Sequence, residues 1–196
     1  MAITDPKDDL QRYLQTARGA VVWKLDGLGE YDARRPLTPT GTNLLGLVKH
    51  LAWVEAGYLG ATFGRPFPEP DPFEDPDVDP TLDMWATPDE SREDIVALYR
   101  RVWVHSDATI AALPLDAAGR VPHWPAEHAT VSLHRILIHV IAETDRHAGH
   151  ADIVRELIDG AAGLRADNDN LPPGVSWPAH RDRVEAAARD AAAGAE

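Results

Sequence analysis

The strongest constraint on this chain is the stretch 130–160, whose apolar spacing suits one long helix and little else. Thr130 reads as its N-cap, residues 131–159 as its body and Gly160 as its C-terminal stop. The stripe such a helix turns inward is Ile136, Val140, Glu143, His147, Ala151, Val154 and Ile158, each step being three or four residues. Two members of that apolar series are ionisable. A carboxylate on a core face is costly unless it is paired or bound to a cation, and a spacing of four sets Glu143 and His147 one turn apart on the same side.

The rest of the chain supplies partners for that helix. Asp5 followed by Pro6 predicts a helix start, and Leu10, Leu14, Ala17, Val21, Leu25 and Leu28 carry the pattern to a stop at Gly29. Residues 30–41 read as a connection. Asn43 opens a second helix that runs to about Thr62, with Leu47, His50, Val54 and Gly57 sharing one side and Trp53 beside them. Residues 64–88 are rich in proline and acidic residues and have no periodicity, which predicts a long loop, either solvated or covering a site. Thr87 and Glu90 form a capping box for a third helix with the inner stripe Ile95, Leu98, Val102, Ser106, Thr109 and Leu113. Pro114, Gly119, Pro122 and Pro125 mark the linker to the long helix. Beyond residue 164 the chain is polar, and the alanine-rich stretch 181–193 predicts a last, peripheral helix. No repeat and no strong strand signal is found. The expectation is an all-α four-helix bundle with long crossover connections, spanning residues 1–163, with residues 164–196 packing on it or extending from it.

Composition narrows the function. The formal charge is −13 and no basic stripe is present, which argues against nucleic acid as a partner. There is no cysteine, so any metal must be held by His, Asp or Glu. Six Trp against three Phe predicts indoles packed between the helices. Residues 1–10 lack the apolar core of a signal peptide, and no apolar run approaches the ~20 residues needed to span a bilayer. These features predict a cytoplasmic protein with no membrane partner.

His50 lies on the same side of its helix as Leu47 and Val54, so a second imidazole stands where a hydrophobe is expected. His50, Glu143 and His147 together offer two nitrogens and one oxygen and would leave a coordination position open. Such a set suits zinc first, with nickel, iron or manganese also accommodated. A buried Glu–His hydrogen bond, or a helix rotated to turn both residues to water, is the alternative. His150 borders the stripe as a hydrogen-bond partner, a fourth ligand or the proton-transfer group of a reaction. His139 falls on a polar flank, and His105, His123, His128, His134 and His180 read as surface or loop residues.

The segments 44–55 (LLGLVKHLAWVE) and 139–154 (HVIAETDRHAGHADIV) resemble the DinB-like superfamily, and an actinobacterial branch of it most closely. The likeness runs from about Leu10 to Gly160. It implies a four-helix bundle of DinB-like type, often dimeric, that holds one divalent metal ion. The ligands it implies fall on His50 and on the pair Glu143 and His147. Many members have His where this chain has Glu143. The His, Glu, His order is similar to the metal-binding domain of mycothiol-dependent maleylpyruvate isomerase. The resemblance further implies a transferase or isomerase that uses a low-molecular-weight thiol such as mycothiol on a small electrophile. The other reading is a non-catalytic, stress-associated protein whose metal only stabilises the bundle.

Overall fold

The computed structural model describes residues 5–75 and 77–194. The outermost ends of the two segments expected from the sequence, residues 1–4 and 195–196, lie outside them. Helix α1 (Pro6–Val22) starts where the sequence predicts, with the Asp5 carboxylate accepting from the Lys7 N–H at 2.8 Å. It ends earlier than expected. The chain tightens into a 3-10 turn at Trp23–Leu25, and Gly27, at φ 76°, reverses it. The apolar spacing reaches Leu28 because a 3-10 turn repeats every three residues and still points Leu25 inward. Gly29 instead precedes a short helix α2 (Glu30–Arg34), within what the sequence suggests is plain connection.

Helix α3 (Leu44–Leu59) is capped by Asn43, whose side-chain oxygen accepts from the Gly46 N–H at 2.8 Å. Between α3 and α4 (Arg92–Ala112) the proline-rich segment contains two 3-10 turns, at Pro72–Glu74 and Leu82–Met84. The Thr87–Glu90 pair forms a closed turn, Glu90 accepting from the Thr87 N–H at 2.8 Å, but it does not start the helix. Ser91 does, its hydroxyl accepting from the Asp94 N–H at 3.0 Å. The linker that follows holds strand β1 (Ala118–Arg120), a single helical turn α5 (Ala126–Ala129) and strand β2 (Thr130–Ser132). The two strands pair antiparallel, Gly119 opposite Val131. Three residues each are too few to give a sequence signal. They move the cap of the long helix α6 (Leu133–Asp159) from Thr130 to Ser132, while Gly160, at φ 77°, ends it as expected. Helix α7 (Trp177–Ala193) has no buried residue.

Helices α1, α3, α4 and α6 form the bundle, with α1 against α6 and α3 against both α4 and α6. Leu14, Leu45, Leu47, Leu51, Leu59, Ile110, Ile136 and Val140 fill its core. Because α6 faces two neighbours, its buried arc is wider than one stripe and takes in Leu137, Thr144 and Ala148 as well. Across α1, α3 and α4 runs a buried ion pair. The Arg18 guanidinium meets both Glu55 carboxylate oxygens, at 2.5 and 3.1 Å, and Asp107 at 2.9 Å. Opposite charges so deep in a core fix which faces of the helices meet, because either partner alone would be stranded. The indoles are less buried than their number suggests, and Trp85 and Trp177 stand 41% and 42% exposed. Among the described residues no helix is long and apolar enough to cross a membrane.

Candidate metal centre

Helices α3 and α6 lie alongside each other so that His50 meets His147, the ring centroids being 4.9 Å apart and the planes 72° to one another. Glu143 stands one turn before His147 and turns its carboxylate toward both. Its Oε1 lies 3.0 Å from His147 Nε2 and 3.8 Å from His50 Nε2. The donor atoms of the three residues all fall within 4.8 Å of one another. Around a tetrahedral ion with bonds near 2.0–2.2 Å, neighbouring ligand atoms sit about 3.4 Å apart. The two spacings to Glu143 bracket that value and the third is within 4.8 Å, so the donor set can close on a divalent ion by side-chain rotation.

Each imidazole has its second nitrogen engaged on the far side. His50 Nδ1 is 2.7 Å from Asp83 Oδ2, and a carboxylate can only accept, so Nδ1 carries the proton and Nε2 presents its lone pair toward Glu143. His147 Nδ1 is 3.3 Å from His150 Nδ1. With Nε2 of His147 free to bind a cation, Nδ1 donates and His150 accepts. Burial, reinforced by the neighbouring His50 and His150 rings, pushes the His147 pKa below its ordinary value against the opposing pull of Glu143. The ring is thereby kept neutral at pH 7, the state a metal ligand requires. Glu143 is not as deep as the core stripe implies. Its side chain is 29% exposed, and Thr144 takes the fully buried place, which leaves the centre accessible to a small molecule.

Asp83 is the functional residue that the sequence does not single out. It sits in the 3-10 turn 82–84, which three contacts hold against α3. The buried Lys49 ammonium donates to the Leu82 carbonyl at 2.7 Å and the Trp85 carbonyl at 3.1 Å, and Asn43 Nδ2 donates to the Met84 carbonyl at 3.0 Å. The turn comes so close that a Cβ at position 46 would overlap the Met84 carbonyl, and only glycine fits there. Nothing in the sequence separates Asp83 from the other acidic residues of that segment. The one signal was indirect: a core-facing histidine needs an acceptor for its outer nitrogen.

His150 lies behind His147 and does not join the converging donors. His139, expected on a polar flank, is instead half-buried, edge-on to Tyr58 at 4.6 Å and to Trp124 at 5.2 Å, because the linker before α5 folds over it. Tyr58 and His139 repeat, two turns further along the same helix pair, the pairing that His50 and His147 make. His123 reaches the same cluster, its Nε2 being 3.2 Å from the Tyr58 hydroxyl. His105, in α4, contacts the Arg65 carbonyl at 2.7 Å.

The fold and this centre define a DinB-like helical bundle. The mycothiol-S-transferase family model matches residues 9–160, and the chain belongs to that family. Among solved structures, a conserved protein from Enterococcus faecalis shares the fold at a TM-score of 0.61 and 15% identity, over 81% of this chain and 100% of its own. No curated protein matches the chain.

Proposed function

We propose that this chain is a metal-dependent S-transferase that binds one divalent ion through His50 Nε2, the Glu143 carboxylate and His147 Nε2, and that it joins a mycothiol-like thiol to a small electrophile. The observation that carries the reading is the convergence of three donors from two helices, each imidazole having its outer nitrogen tied to a partner. Zinc suits two nitrogens and one oxygen, and nickel, iron and manganese are the other ions to assay. A divalent ion at these donors supplies an electrophilic site at which a thiol is held as thiolate at neutral pH. In the transfer a carbon–sulfur bond forms, the leaving group departs with the electron pair of its bond, and the thiol proton is released. The chain's own part is to orient His50 and His147 through Asp83 and His150 and, by burial, to hold the His147 ring neutral. His150 is also proposed for proton transfer at the edge of the site, a role in which its Nδ1 must give up the hydrogen bond from His147 before it takes a proton.

A closed site with four protein ligands is the mark of a purely structural ion. Among the described residues only three donors converge, which favours the catalytic reading over a metal that merely stabilises the bundle. All three come from one chain, so the reading does not depend on the homodimer that the family resemblance implies. A reduced thiol persists in the cytoplasm, and the protein is proposed to act there.

Cobalt-substituted protein provides the test. Adding mycothiol should change the visible and near-ultraviolet cobalt spectrum as sulfur enters the open position. A spectrum indifferent to mycothiol, with cobalt bound stoichiometrically, would rule out the transferase reading and leave a structural metal.

A further inference from the structure

Next to the centre lies a groove of about 390 Å³, between α3 and the loops that carry Phe73 and His123. Its size sits at the lower end for small-ligand sites. Asp83 belongs to both places: one of its carboxylate oxygens meets His50, and the residue also lines the groove. Val54, one turn beyond His50 on α3, continues the same wall. A molecule in the groove would therefore lie about one helical turn, roughly 5 Å, from the metal donors.

The lining has a definite chemistry. Trp53, Tyr58 and Phe73 offer aromatic surface, and the charged side chains are the carboxylates of Asp71 and Asp83. No lysine or arginine is among the described lining residues. One polar group is held in place at the far end. The Tyr58 oxygen accepts from the Trp124 indole N–H at 3.1 Å and lies 3.2 Å from His123 Nε2. Burial keeps the His139 pKa below its ordinary value, so that ring adds no cation beside Tyr58. The net charge of −13 extends the unfavourable field for anions beyond the groove.

We propose that this groove is the subsite for the electrophile, and that it takes flat, neutral or cationic aromatic compounds and rejects carboxylates. The inference rests on the transferase reading for the word electrophile, but its recognition chemistry does not. Two carboxylates in a lining that holds no lysine or arginine among the described residues disfavour an anion, whereas aromatic walls favour a flat ring and attract a cation. The Tyr58 hydroxyl then supplies one hydrogen bond to a polar substituent.

Calorimetric titration of the full chain with 2-naphthylmethanol, 2-naphthylmethylamine and 2-naphthoate presents one ring system in three charge states. The alcohol and the amine should bind about tenfold more tightly than the carboxylate. Asp71→Asn, which keeps the side-chain oxygen that accepts from the Phe73 N–H, should narrow that ratio several-fold with the metal content unchanged. Tyr58→Phe should weaken the alcohol several-fold and the carboxylate hardly at all. Equal or tighter binding of naphthoate, no binding of any of the three, or a ratio unmoved by Asp71→Asn would overturn the proposal. Metal content measured on the same samples separates the two readings. A charge preference in protein that takes up no metal would leave the groove standing and remove the transferase mechanism.

Discussion

A histidine binds a metal only through an unprotonated nitrogen, and in this chain the packing around His147 decides its protonation. The ring is buried among two other imidazoles, and both effects hold its pKa below the usual 6.5. The unfolded chain therefore takes up a proton that the folded chain resists as the pH falls through about 6.5. The stability contributed by the neutral ring is present above that value and is lost as the pH drops toward the folded-state pKa. Metal-free protein should accordingly melt at a lower temperature near pH 5 than near pH 7.5, and His147→Gln should flatten that dependence. An unchanged pH dependence in the variant would mean that His147 is not the titrating group. The pair Glu143 and His147 is legible from sequence because a spacing of four on an apolar helix can be read without a structure. Its contact, 3.0 Å between Nε2 and Oε1, is also what a plain hydrogen-bonded pair would give. His50 adds a third donor beside the pair, which supports the proposed metal site, and the packing of α3 on α6 brings it there.

At the scale of elements, the turn 82–84 works as a bracket for α3. Lys49 and Asn43 hold it by donating to its carbonyls, Gly46 lets it approach, and Asp83 orients His50. Asp83→Asn should weaken metal binding by roughly 10–100-fold, the usual effect of losing an outer carboxylate. Gly46→Ala should weaken it similarly, because the added methyl forces the turn outward, and should cost about 1–3 kcal/mol of stability from overpacking. Gly149→Ala, whose new methyl meets nothing within 4 Å, is the matched control and should keep its metal. Wild-type metal affinity in Gly46→Ala would show that the turn does not position His50. The sequence contained the three long amphipathic helices before α6 and their N-caps to within a few residues, although α1 ends well short of the expected stop at Gly29. It could not reveal the bracket, because residues 64–88 have no periodicity and what orders the 82–84 turn comes from α3, far away along the chain.

The whole molecule divides into a bundle that builds the site and a tail that does not. The tail begins tied down, with the Lys24 ammonium donating to the Gly163 carbonyl at 2.5 Å and the Trp23 indole donating to the Leu164 carbonyl at 2.9 Å. Beyond these contacts α7 buries nothing. The tail is thus proposed as an extension of the bundle domain, and deleting residues 177–196 should shift the unfolding midpoint by less than about 2 °C and leave metal binding intact. A larger loss, measured by calorimetry, would show that α7 packs on the bundle in solution. The family match ends at residue 160, at the same place as α6, which agrees with a site contained in the bundle. The proposed transferase function follows from His50, Glu143 and His147 sharing one metal ion. Elemental analysis of tag-free wild-type protein and His147→Ala tests it directly. Close to one divalent ion per chain is expected in the wild type, with its loss from a folded variant. A wild type that takes up no zinc, nickel, iron or manganese would contradict it, and Glu143 and His147 would then be a hydrogen-bonded pair and nothing more.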